Sequence, residues 1–265
     1  MVGVWWTRIQ PALITWVHPE ACGSIPGREC LEAAFDAQLD FELSIIDGEE
    51  QTQIGTDYDK LFDTFDPDFM HSLHIAVGLP HALADIILYM YRNIQRRLKV
   101  GKHLGKPLVC NRGAGQGDTY AVLGAHFLTT IQFRHVSHEC PTVKKSAVVD
   151  DRSFRGKCAD AIKAVHLALK YDKLAGLVNN LSKFVAISTF TNARQRLREE
   201  LFDDKHIRVS LEYVLVGTNI TVRRGKRCAL QDKRILSGIE VSRKLAKPNV
   251  GTDLKEHALM AASIT

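Results

Sequence analysis

The sequence predicts an α+β fold in which an antiparallel sheet is backed by helices. The first observation is the order of a strand pair, a helix and another strand, expected over residues 147–153, 157–170 and 184–188. The second is the helical spacing of apolar residues in the middle segment, for example Ala161 and Val165. The third is composition: 265 residues, 45% of them apolar, are typical of a globular chain and suffice for one large domain or two small ones.

Two adjacent carboxylates, Asp150 and Asp151, follow the short β-branched run at residues 147–149. Like charges at close range repel and raise a pKa, and a divalent metal removes that difficulty. Mg²⁺ takes oxygen ligands, usually from one or two carboxylates plus substrate phosphates. A third carboxylate is then expected upstream on a neighbouring strand, and Asp57 ends the extended segment that begins at Ile54. The sequence therefore predicts a metal site built from these three aspartates.

A glycine-rich turn lies between these carboxylates in the sequence. Gly113, Gly115 and Gly117 surround Gln116, just before a run that can form a helix. Glycines in such a turn indicate close approach of the backbone to another group. The turn lacks the Gly-Lys-Ser/Thr of a Walker A loop and the GxGxxG of a dinucleotide-binding turn, so neither of those sites is predicted.

Apolar residues at helical spacing over residues 80–98 predict an amphipathic helix packed on the sheet. The far end of this helix is basic and could face nucleic acid through Arg92, Arg96, Arg97 and Lys99. Residues 99–113 then predict a hairpin with Gly101 and Gly105 as turn residues. The hairpin leads into the glycine-rich turn around Gln116.

In this order the chain resembles the palm of a reverse transcriptase of the non-LTR retrotransposon and group II intron type. TDYDKLFDTFD is similar to the D-x-x-K-A-F-D block of that family, and RGAGQGDTYA to its R-G-x-x-Q-G-D-P-L-S turn. VVDD resembles the Y-A-D-D block, and GLVNNLSK, which contains Lys183, resembles the G-L-x-x-N-x-x-K block. No one of these motifs is decisive, and the resemblance rests on all four in order over residues 57–183.

The resemblance implies RNA-templated DNA synthesis by nucleotidyl transfer with two Mg²⁺ ions, for which Mn²⁺ is a substitute. Asp57 and Asp150 would bridge the two ions, with Asp151 as a weaker or indirect ligand. The Tyr58 carbonyl would add a further oxygen ligand. Lys183 would lie near the triphosphate, where a lysine can protonate the leaving pyrophosphate; the alternative for Lys183 is a plain surface residue.

The same resemblance implies a nucleotide pocket. Gln116, with Gly117 beside it, would shape the pocket for the incoming base and sugar. Phe62 lies five residues past Asp57 and matches the bulky aromatic residue that the family places under the sugar. Such a ring leaves no room for a 2′-hydroxyl, so deoxynucleotides are preferred. The alternative for Phe62 is a buried core residue.

Charge is concentrated near the end of the chain. The net charge is +5, but residues 223–247 carry nine basic residues against two acids, or +7, which leaves −2 for the rest. A local basic block indicates a polyanion partner; the alternative is a solvated helix face. The predicted nucleic-acid contacts are Arg28, Arg112, Arg223, Arg224, Lys226 and Arg227. For Arg28, bracing of the fold through a buried pair is an equal alternative.

The resemblance divides the chain into partial fingers or junction (1–50), a polymerase palm (51–222) and the basic start of a helical thumb (223–265). The expected partners are an RNA template, a DNA primer and deoxynucleoside triphosphates. The rest of the family's fingers and thumb, and its endonuclease segment, have no counterpart in this sequence. Two other functions stay open: a non-catalytic nucleic-acid-binding remnant of such a domain, and another palm enzyme such as an RNA-templated RNA polymerase or a nucleotide cyclase.

The cellular setting follows from what the sequence lacks. No stretch reaches the roughly 18 uninterrupted apolar residues of a membrane span. The first residues include Arg8 and Gln10 and have no small-residue cleavage site, so a signal peptide is not predicted. The six cysteines form no CxxC pair, which favours a reduced, soluble, intracellular protein. A nuclear location is expected if the chain comes from a eukaryotic retroelement.

Overall fold

The computed structural model describes residues 8, 10–12, 14–108, 110–115, 118–201, 207–215, 217–222, 236–237 and 239–240. The strands are β1 (Ala21–Cys22), β2 (Thr52–Thr56), β3 (Arg96–Val100), β4 (His103–Leu108), β5 (Lys144–Val148), β6 (Asp151–Gly156), β7 (Val185–Ser188), β8 (Arg208–Ser210), β9 (Glu212–Leu215) and β10 (Thr218–Thr221). The helices are α1 (Cys30–Asp47), α2 (Leu61–Thr64), α3 (Pro67–Ala76), α4 (His81–Asn93), α5 (Thr119–Glu139), α6 (Cys158–Leu174) and α7 (Thr191–Glu200), with a 3₁₀ turn at Leu181–Lys183.

A six-stranded mixed sheet forms the centre, in the order β1-β5-β6-β2-β7-β8. Its middle is antiparallel, because β2 pairs with both β6 and β7 in opposite directions. The edges are parallel, β1 with β5 and β8 with β7. All five residues of β2 are buried, so this strand is the core of the sheet. The predicted α+β fold, a sheet backed by helices, is confirmed.

The two faces of the sheet bury different layers. Successive side chains on a strand point to opposite faces. Ile54 of β2 and Phe154 of β6 lie in a cluster with residues of α5, α6 and α7, which we call the back cluster. On the opposite face Ile187 of β7 packs with Phe41 of α1 and Leu215 of β9. The sheet thus lies between the helices of the back cluster on one face and α1 with the β9–β10 hairpin on the other.

Helix α5 joins two cores. Of its 21 residues, 13 are buried, and both faces of the helix therefore meet protein. Phe133 belongs to the back cluster, whereas Phe127 belongs to a second core with α3 and α4, which we call the helical cluster. Asp118 caps the helix by accepting a hydrogen bond from the Tyr120 backbone N–H at 3.3 Å.

The helix expected over residues 80–98 is shorter than predicted and packs elsewhere. Helix α4 ends at Asn93, and Ile94 is already extended. The chain then forms β3, which pairs with β4, so that strand pairing satisfies backbone groups that the predicted helix would have satisfied within itself. The buried stripe of α4 includes Ile87 and Tyr91 and faces the helical cluster, not the sheet. A hairpin does follow this helix, but it spans residues 96–108 and not 99–113: Gly101 lies in its turn as predicted, whereas Gly105 lies within β4.

Three further predictions concern membrane-spanning segments, the cysteines and the division of the chain. No helix within the described ranges is both long enough and apolar enough to cross a bilayer. Cys22, Cys30, Cys110, Cys140 and Cys158 are free thiols. The division into fingers, palm and thumb stays a prediction, because most of residues 223–265 lie outside the described part of the chain.

Candidate active site

The site lies where the central strands end. Asp57 directly follows β2, and it faces the same side as Gly55 because side chains alternate along a strand. Antiparallel pairing places Thr56 opposite Arg152, so the next step along both strands brings Asp57 opposite Asp151. The two aspartates, far apart in sequence, therefore meet on one face of the sheet.

Asp150 lies in the tight turn that joins β5 to β6. The turn has two residues, Val149 and Asp150, between the paired Val148 and Asp151. Val149 has a φ of 58°, a left-handed conformation that β-branched residues rarely adopt. Strain of this kind costs about 1–3 kcal/mol and concentrates at functional sites. Val149 is held by packing on the helical cluster, so the turn that carries Asp150 is fixed by its surroundings.

Lys183 lies at the end of the 3₁₀ turn and reaches the carboxylates. Its Nζ atom is 2.8 Å from Asp57 Oδ2, and its side chain remains 63% exposed. Asp57 Oδ2 is buried, and among the described residues it has no hydrogen bond of good geometry, so the Lys183 ammonium at 2.8 Å is in position to compensate its charge. Backbone hydrogen bonds from Asp59 to Val178 and from Asn180 to Asp57 tie the Lys183 loop to the end of β2.

The charges of the site act on one another. Partial burial raises the pKa of Asp151, although the residue still reaches solvent, and the negative charges of Asp150 and Asp57 raise it further. Lys183 opposes this effect. In turn, the contact with Asp57 raises the pKa of Lys183, and Asp150 and Asp151 add to the rise. The three carboxylates thus behave as one anionic group that a single ammonium partly neutralises.

A cleft of about 280 Å³ opens beside this group. Asp57, Asp151 and Lys183 line one wall, and Tyr213 of β9 lines the other. The pKa of Tyr213 is raised by burial and by the negative charges of Asp151 and Asp57. Gly55 permits the approach of Tyr213, since a Cβ at that position would lie 2.5 Å from Tyr213 Cε2. The cleft is therefore walled on one side by an aromatic ring that lies directly on the central strand.

Tyr213 was not predicted as a site residue. The sequence does contain a signal for it, because glycine inside a buried strand often marks a place where another group approaches closely. Gly55 lies two residues before Asp57 in such a strand. The identity of the approaching group depends on how residues 212–221 fold back over the sheet, which no local pattern specifies.

Tyr58 faces away from the cleft, into a buried polar network. Its hydroxyl donates a hydrogen bond to Asp172 at 2.9 Å, and the Arg152 guanidinium lies 3.7 Å from the centre of its ring. Arg152 and Asp172 are fully buried and form an ion pair at 3.0 Å. Arg152 also donates to Gln132 and Asn179. The Tyr58 side chain is thus structural, while the predicted metal contact of its carbonyl stays a prediction.

The predicted nucleotide contacts are partly described. Phe62 is half-buried, its ring meets Phe65 edge-on at 5.6 Å between centroids, and its carbonyl accepts a hydrogen bond from the Ala114 N–H at 2.7 Å. These contacts hold Phe62 against the start of the glycine-rich turn, an arrangement compatible with either role foreseen for it. Gln116 and Gly117 lie outside the described residues, so their roles stay predictions.

The predicted nucleic-acid contacts differ in their surroundings. Arg28 donates hydrogen bonds to the carbonyls of Val17, His18 and Ala21. It therefore braces the fold, as the alternative held, but among the described residues it does so through backbone carbonyls and not through a buried pair. Arg112 is exposed and lies 3.7 Å from Asp66. The remaining four, Arg223, Arg224, Lys226 and Arg227, lie outside the described residues. Nucleic-acid binding by all six stays a prediction.

The donor set at the strand ends fits a hard cation. Across the described ranges, no group of three or more His, Cys, Asp or Glu side chains converges as a complete metal site. Mg²⁺ does not need one, since it is usually held by one or two carboxylates plus substrate phosphates. In the part of the chain that the structure describes, Asp57 Oδ2 is a buried oxygen without a directed hydrogen bond, and the strand register places Asp151 opposite Asp57. These residues suit Mg²⁺, and the ion itself stays a prediction.

Comparison with known proteins identifies the fold. The sequence matches no protein-family model and no curated protein. Among solved structures, telomerase from Candida tropicalis in complex with the TWJ fragment of telomeric RNA is similar, with a TM-score of 0.59 at 12% identity over 99% of this chain and 44% of that one. Apo telomerase from C. tropicalis gives 0.57 at 13% identity over 83% and 39%.

A third telomerase, from Candida albicans with the TWJ fragment, gives a TM-score of 0.52 at 10% identity and covers 98% of this chain and 46% of the telomerase chain. The chain thus spans less than half the length of the telomerases it resembles. Identities this low establish the fold alone. The chain has a mixed α+β fold similar to that of these telomerase structures.

Proposed function

We propose that this chain carries the palm of an RNA-templated DNA polymerase and is a fragment of a retroelement reverse transcriptase of the non-LTR or group II intron type. One observation carries the proposal: Asp57 and Asp151 meet at the ends of the central strands with Lys183 at 2.8 Å, in a telomerase-like fold. The proposed partners are an RNA template, a DNA primer and deoxynucleoside triphosphates. Telomeric RNA is bound by two of the similar telomerases.

The chemistry follows from the charges of the site. Two bound Mg²⁺ ions, or Mn²⁺ in their place, would supply the positive charge that favours attack by the primer 3′-hydroxyl and departure of pyrophosphate. Asp57 would hold them together with the pair Asp150 and Asp151. Of that pair, Asp151 lies opposite Asp57 in the strand register, and Asp150 projects from the neighbouring turn.

Lys183 would be the proton donor to pyrophosphate. Its contact with Asp57 raises its pKa, so the ammonium holds its proton firmly while the ion pair is closed. Donation to a leaving phosphate therefore requires that Nζ separate from Asp57 Oδ2. The side chain is 63% exposed and free to make that movement.

Primer extension tests the proposal. The purified chain, with Mg²⁺, an RNA template, a DNA primer and deoxynucleotides, should lengthen the primer. Asp57→Asn should reduce the rate by more than about 100-fold, because metal stabilisation of the transition state contributes several kcal/mol. The exposed Asp47→Asn serves as the matched control and should extend normally. Independently of activity, Mg²⁺ should raise the melting temperature of the wild-type chain and not of Asp57→Asn.

Each failure has a distinct meaning. Duplex binding without extension, in wild type and in Asp57→Asn alike, would favour a non-catalytic nucleic-acid-binding remnant. Equal use of ribonucleotides by the wild-type chain would favour an RNA polymerase. If Phe62 sets the sugar preference, Phe62→Ala should raise ribonucleotide incorporation on the order of 10- to 100-fold. The exposed Phe69→Ala should leave that preference unchanged.

A further inference from the structure

The second concentration of positive charge lies in the hairpin of β3 and β4. From residue 86 to residue 117 the sequence contains no aspartate or glutamate. The same stretch carries seven basic residues, Arg92, Arg96, Arg97, Lys99, Lys102, Lys106 and Arg112. This local charge equals that of residues 223–247, and here the structure describes the backbone that carries it.

The hairpin, which we call the ribbon (residues 96–108), stands away from the body of the protein. Every residue from 97 to 108 is exposed, and within the described ranges the two strands pair only with each other. The pairing is antiparallel, with an irregularity between Arg97 and Lys99. The two residues are two positions apart on β3, which at about 3.3 Å per residue puts their backbones about 7 Å apart. That separation is close to the spacing of neighbouring phosphates along a nucleic-acid strand.

The outer charges of the ribbon are not neutralised. Among the described residues no carboxylate forms an ion pair with Arg97, Lys99, Lys102 or Lys106. The basic residues at its base differ, since Arg92 pairs with Asp68 and Arg112 with Asp66. The ribbon therefore presents four cations that no carboxylate in the described ranges neutralises, beyond a base whose arginines are paired. Of the four, Arg97 also contacts the neutral Gln95 amide at 3.4 Å.

The base of the ribbon is tied to the candidate active site. Arg96 donates a hydrogen bond to the Gly113 carbonyl at 2.9 Å. The next residue, Ala114, donates its N–H to the carbonyl of Phe62, five residues from Asp57. A nucleic acid that passed the glycine-rich turn on its way to the carboxylates would thus pass the foot of the ribbon.

We propose that the ribbon grips the phosphate backbone of an RNA–DNA duplex through Arg97, Lys99, Lys102 and Lys106. This inference rests on the proposed function, which supplies the duplex. Phosphate contacts are made by basic side chains and give binding without sequence preference. The positive charge of the ribbon favours a nucleic acid over a protein as its partner, although Leu98 and Leu104 on the same ribbon are also exposed.

Duplex binding at several salt concentrations tests the inference without requiring catalysis. A labelled RNA–DNA duplex is titrated with the full chain in EDTA, and the dissociation constant is followed by fluorescence anisotropy. The test variant replaces the four ribbon cations by alanine. The control replaces four exposed lysines on or beside α6, behind the sheet, which are Lys157, Lys163, Lys170 and Lys173. Equal melting temperatures of both variants and wild type establish that both are folded.

The test variant should bind more weakly and with a shallower salt dependence. Each phosphate contact contributes about 0.9 to the slope of log K against log salt for duplex DNA, so four lost contacts lower the slope by about 3 to 4. The control should keep the wild-type slope. Leu98→Ser with Leu104→Ser should keep it too.

Three results would overturn the inference: an unchanged slope in the test variant, an equal fall in the control, or weaker binding only in the leucine variant. A loss of the same size for single-stranded RNA would overturn the assignment to a duplex. The outcome is separable from the proposed function, since Asp57→Asn should lose extension yet bind the duplex with the wild-type slope. If the duplex binds through the ribbon but the primer is not extended, the assignment of the ribbon as a duplex-binding element would stand and the proposed polymerase activity would be rejected.

Discussion

The Lys183 ammonium offsets part of the negative charge of the candidate site. Lys183 contacts Asp57 at 2.8 Å, and its charge opposes the repulsion that raises the pKa of Asp151. The same residue is the proposed proton donor. Lys183 would therefore compete with bound cations for Asp57 in the resting protein and assist the reaction once the ion pair has opened. Removal of Lys183 should therefore strengthen the binding of Mg²⁺ and slow the reaction.

Lys183→Met should bind Mg²⁺ more tightly and react more slowly. Binding should tighten because no ammonium competes for Asp57, and calorimetric titration of Mg²⁺ measures this change. The rate of primer extension should fall by about 100- to 10,000-fold, the range expected for loss of a general acid. Lys170→Met, on the exposed surface of α6, is the control for both measurements. Weaker Mg²⁺ binding in Lys183→Met would contradict the competition between the ammonium and the cation.

His74 is a buried titratable residue with no polar support. It is 1% exposed, and neither ring nitrogen has a hydrogen-bond partner among the described residues. Its ring meets Phe127 edge-on, with 6.2 Å between centroids. Burial, with a smaller effect of His71, lowers the pKa of His74 to about 4. The folded protein therefore holds this imidazole neutral.

The acid sensitivity of the fold should depend on His74. A folded-state pKa below the unfolded value gives stability that is present above about pH 6.5 and lost as the pH falls through the folded pKa. At about pH 4 the loss is about 3 kcal/mol. His74→Leu should remove it, whereas the exposed His81→Gln should not. Urea unfolding of each variant at neutral pH and at about pH 4 measures the difference, and an equal acid loss in His74→Leu would refute the assignment.

At the scale of elements, the cleft depends on how closely the β9–β10 hairpin lies over β2. A Cβ on Gly55 would meet Tyr213 Cε2 at 2.5 Å and Cζ at 2.6 Å, distances that force the ring to move. Both atoms belong to a rigid aromatic ring, so β2 or the β9–β10 hairpin must shift to make room for the added Cβ. Gly55 therefore sets the separation of the two walls of the cleft.

Gly55→Ala should destabilise the protein by about 1–3 kcal/mol, the usual cost of overpacking. Gly156→Ala in β6 is the control, because its added Cβ would make an ordinary contact of 3.5 Å with Val143. Tyr213→Ala should suppress the effect of Gly55→Ala, which a double-mutant cycle of unfolding free energies detects as a coupling of about 0.5–3 kcal/mol. Additive effects would show that the ring and the strand do not meet.

The elements also show what could be predicted from the sequence. The sequence led us to expect one site made of Asp57, the pair Asp150 and Asp151, and Lys183. The structure brings Asp57, Asp151 and Lys183 together, because their positions depend on strand ends and loops that local patterns reveal. Their metal and catalytic roles stay predictions. Arg152 and Tyr213 were missed, since their roles depend on partners far away in the chain. Arg152 finds Asp172 on α6, and no local period distinguishes that buried pair from two surface charges. The end of α4 was missed for a similar reason, because the pairing of β3 with β4 competes with local helical spacing.

At the scale of the whole molecule, α5 connects the two halves of the core. In the helical cluster Phe127 meets Trp16 edge-on at 5.1 Å between centroids. Six residues further on, Phe133 meets Phe154 of β6 with 6.0 Å between centroids in the back cluster. A helix is cooperative along its length, since each turn hydrogen-bonds to the next. The helices around α3 and α4 and the sheet that carries the carboxylates should therefore unfold together.

Phe127→Ala tests this coupling. Removing a buried phenylalanine costs about 3–5 kcal/mol. Phe127 lies in the helical cluster, whereas β2 packs in the back cluster. If the core is one cooperative unit, native-state hydrogen exchange should nevertheless show the same loss of protection in β2 as in α3. Phe154→Ala, in the back cluster, should reciprocally lower the protection of α3. A loss confined to α3 and α4 in the first variant, with β2 unchanged, would instead show that the carboxylate-bearing sheet is stable without the helical cluster.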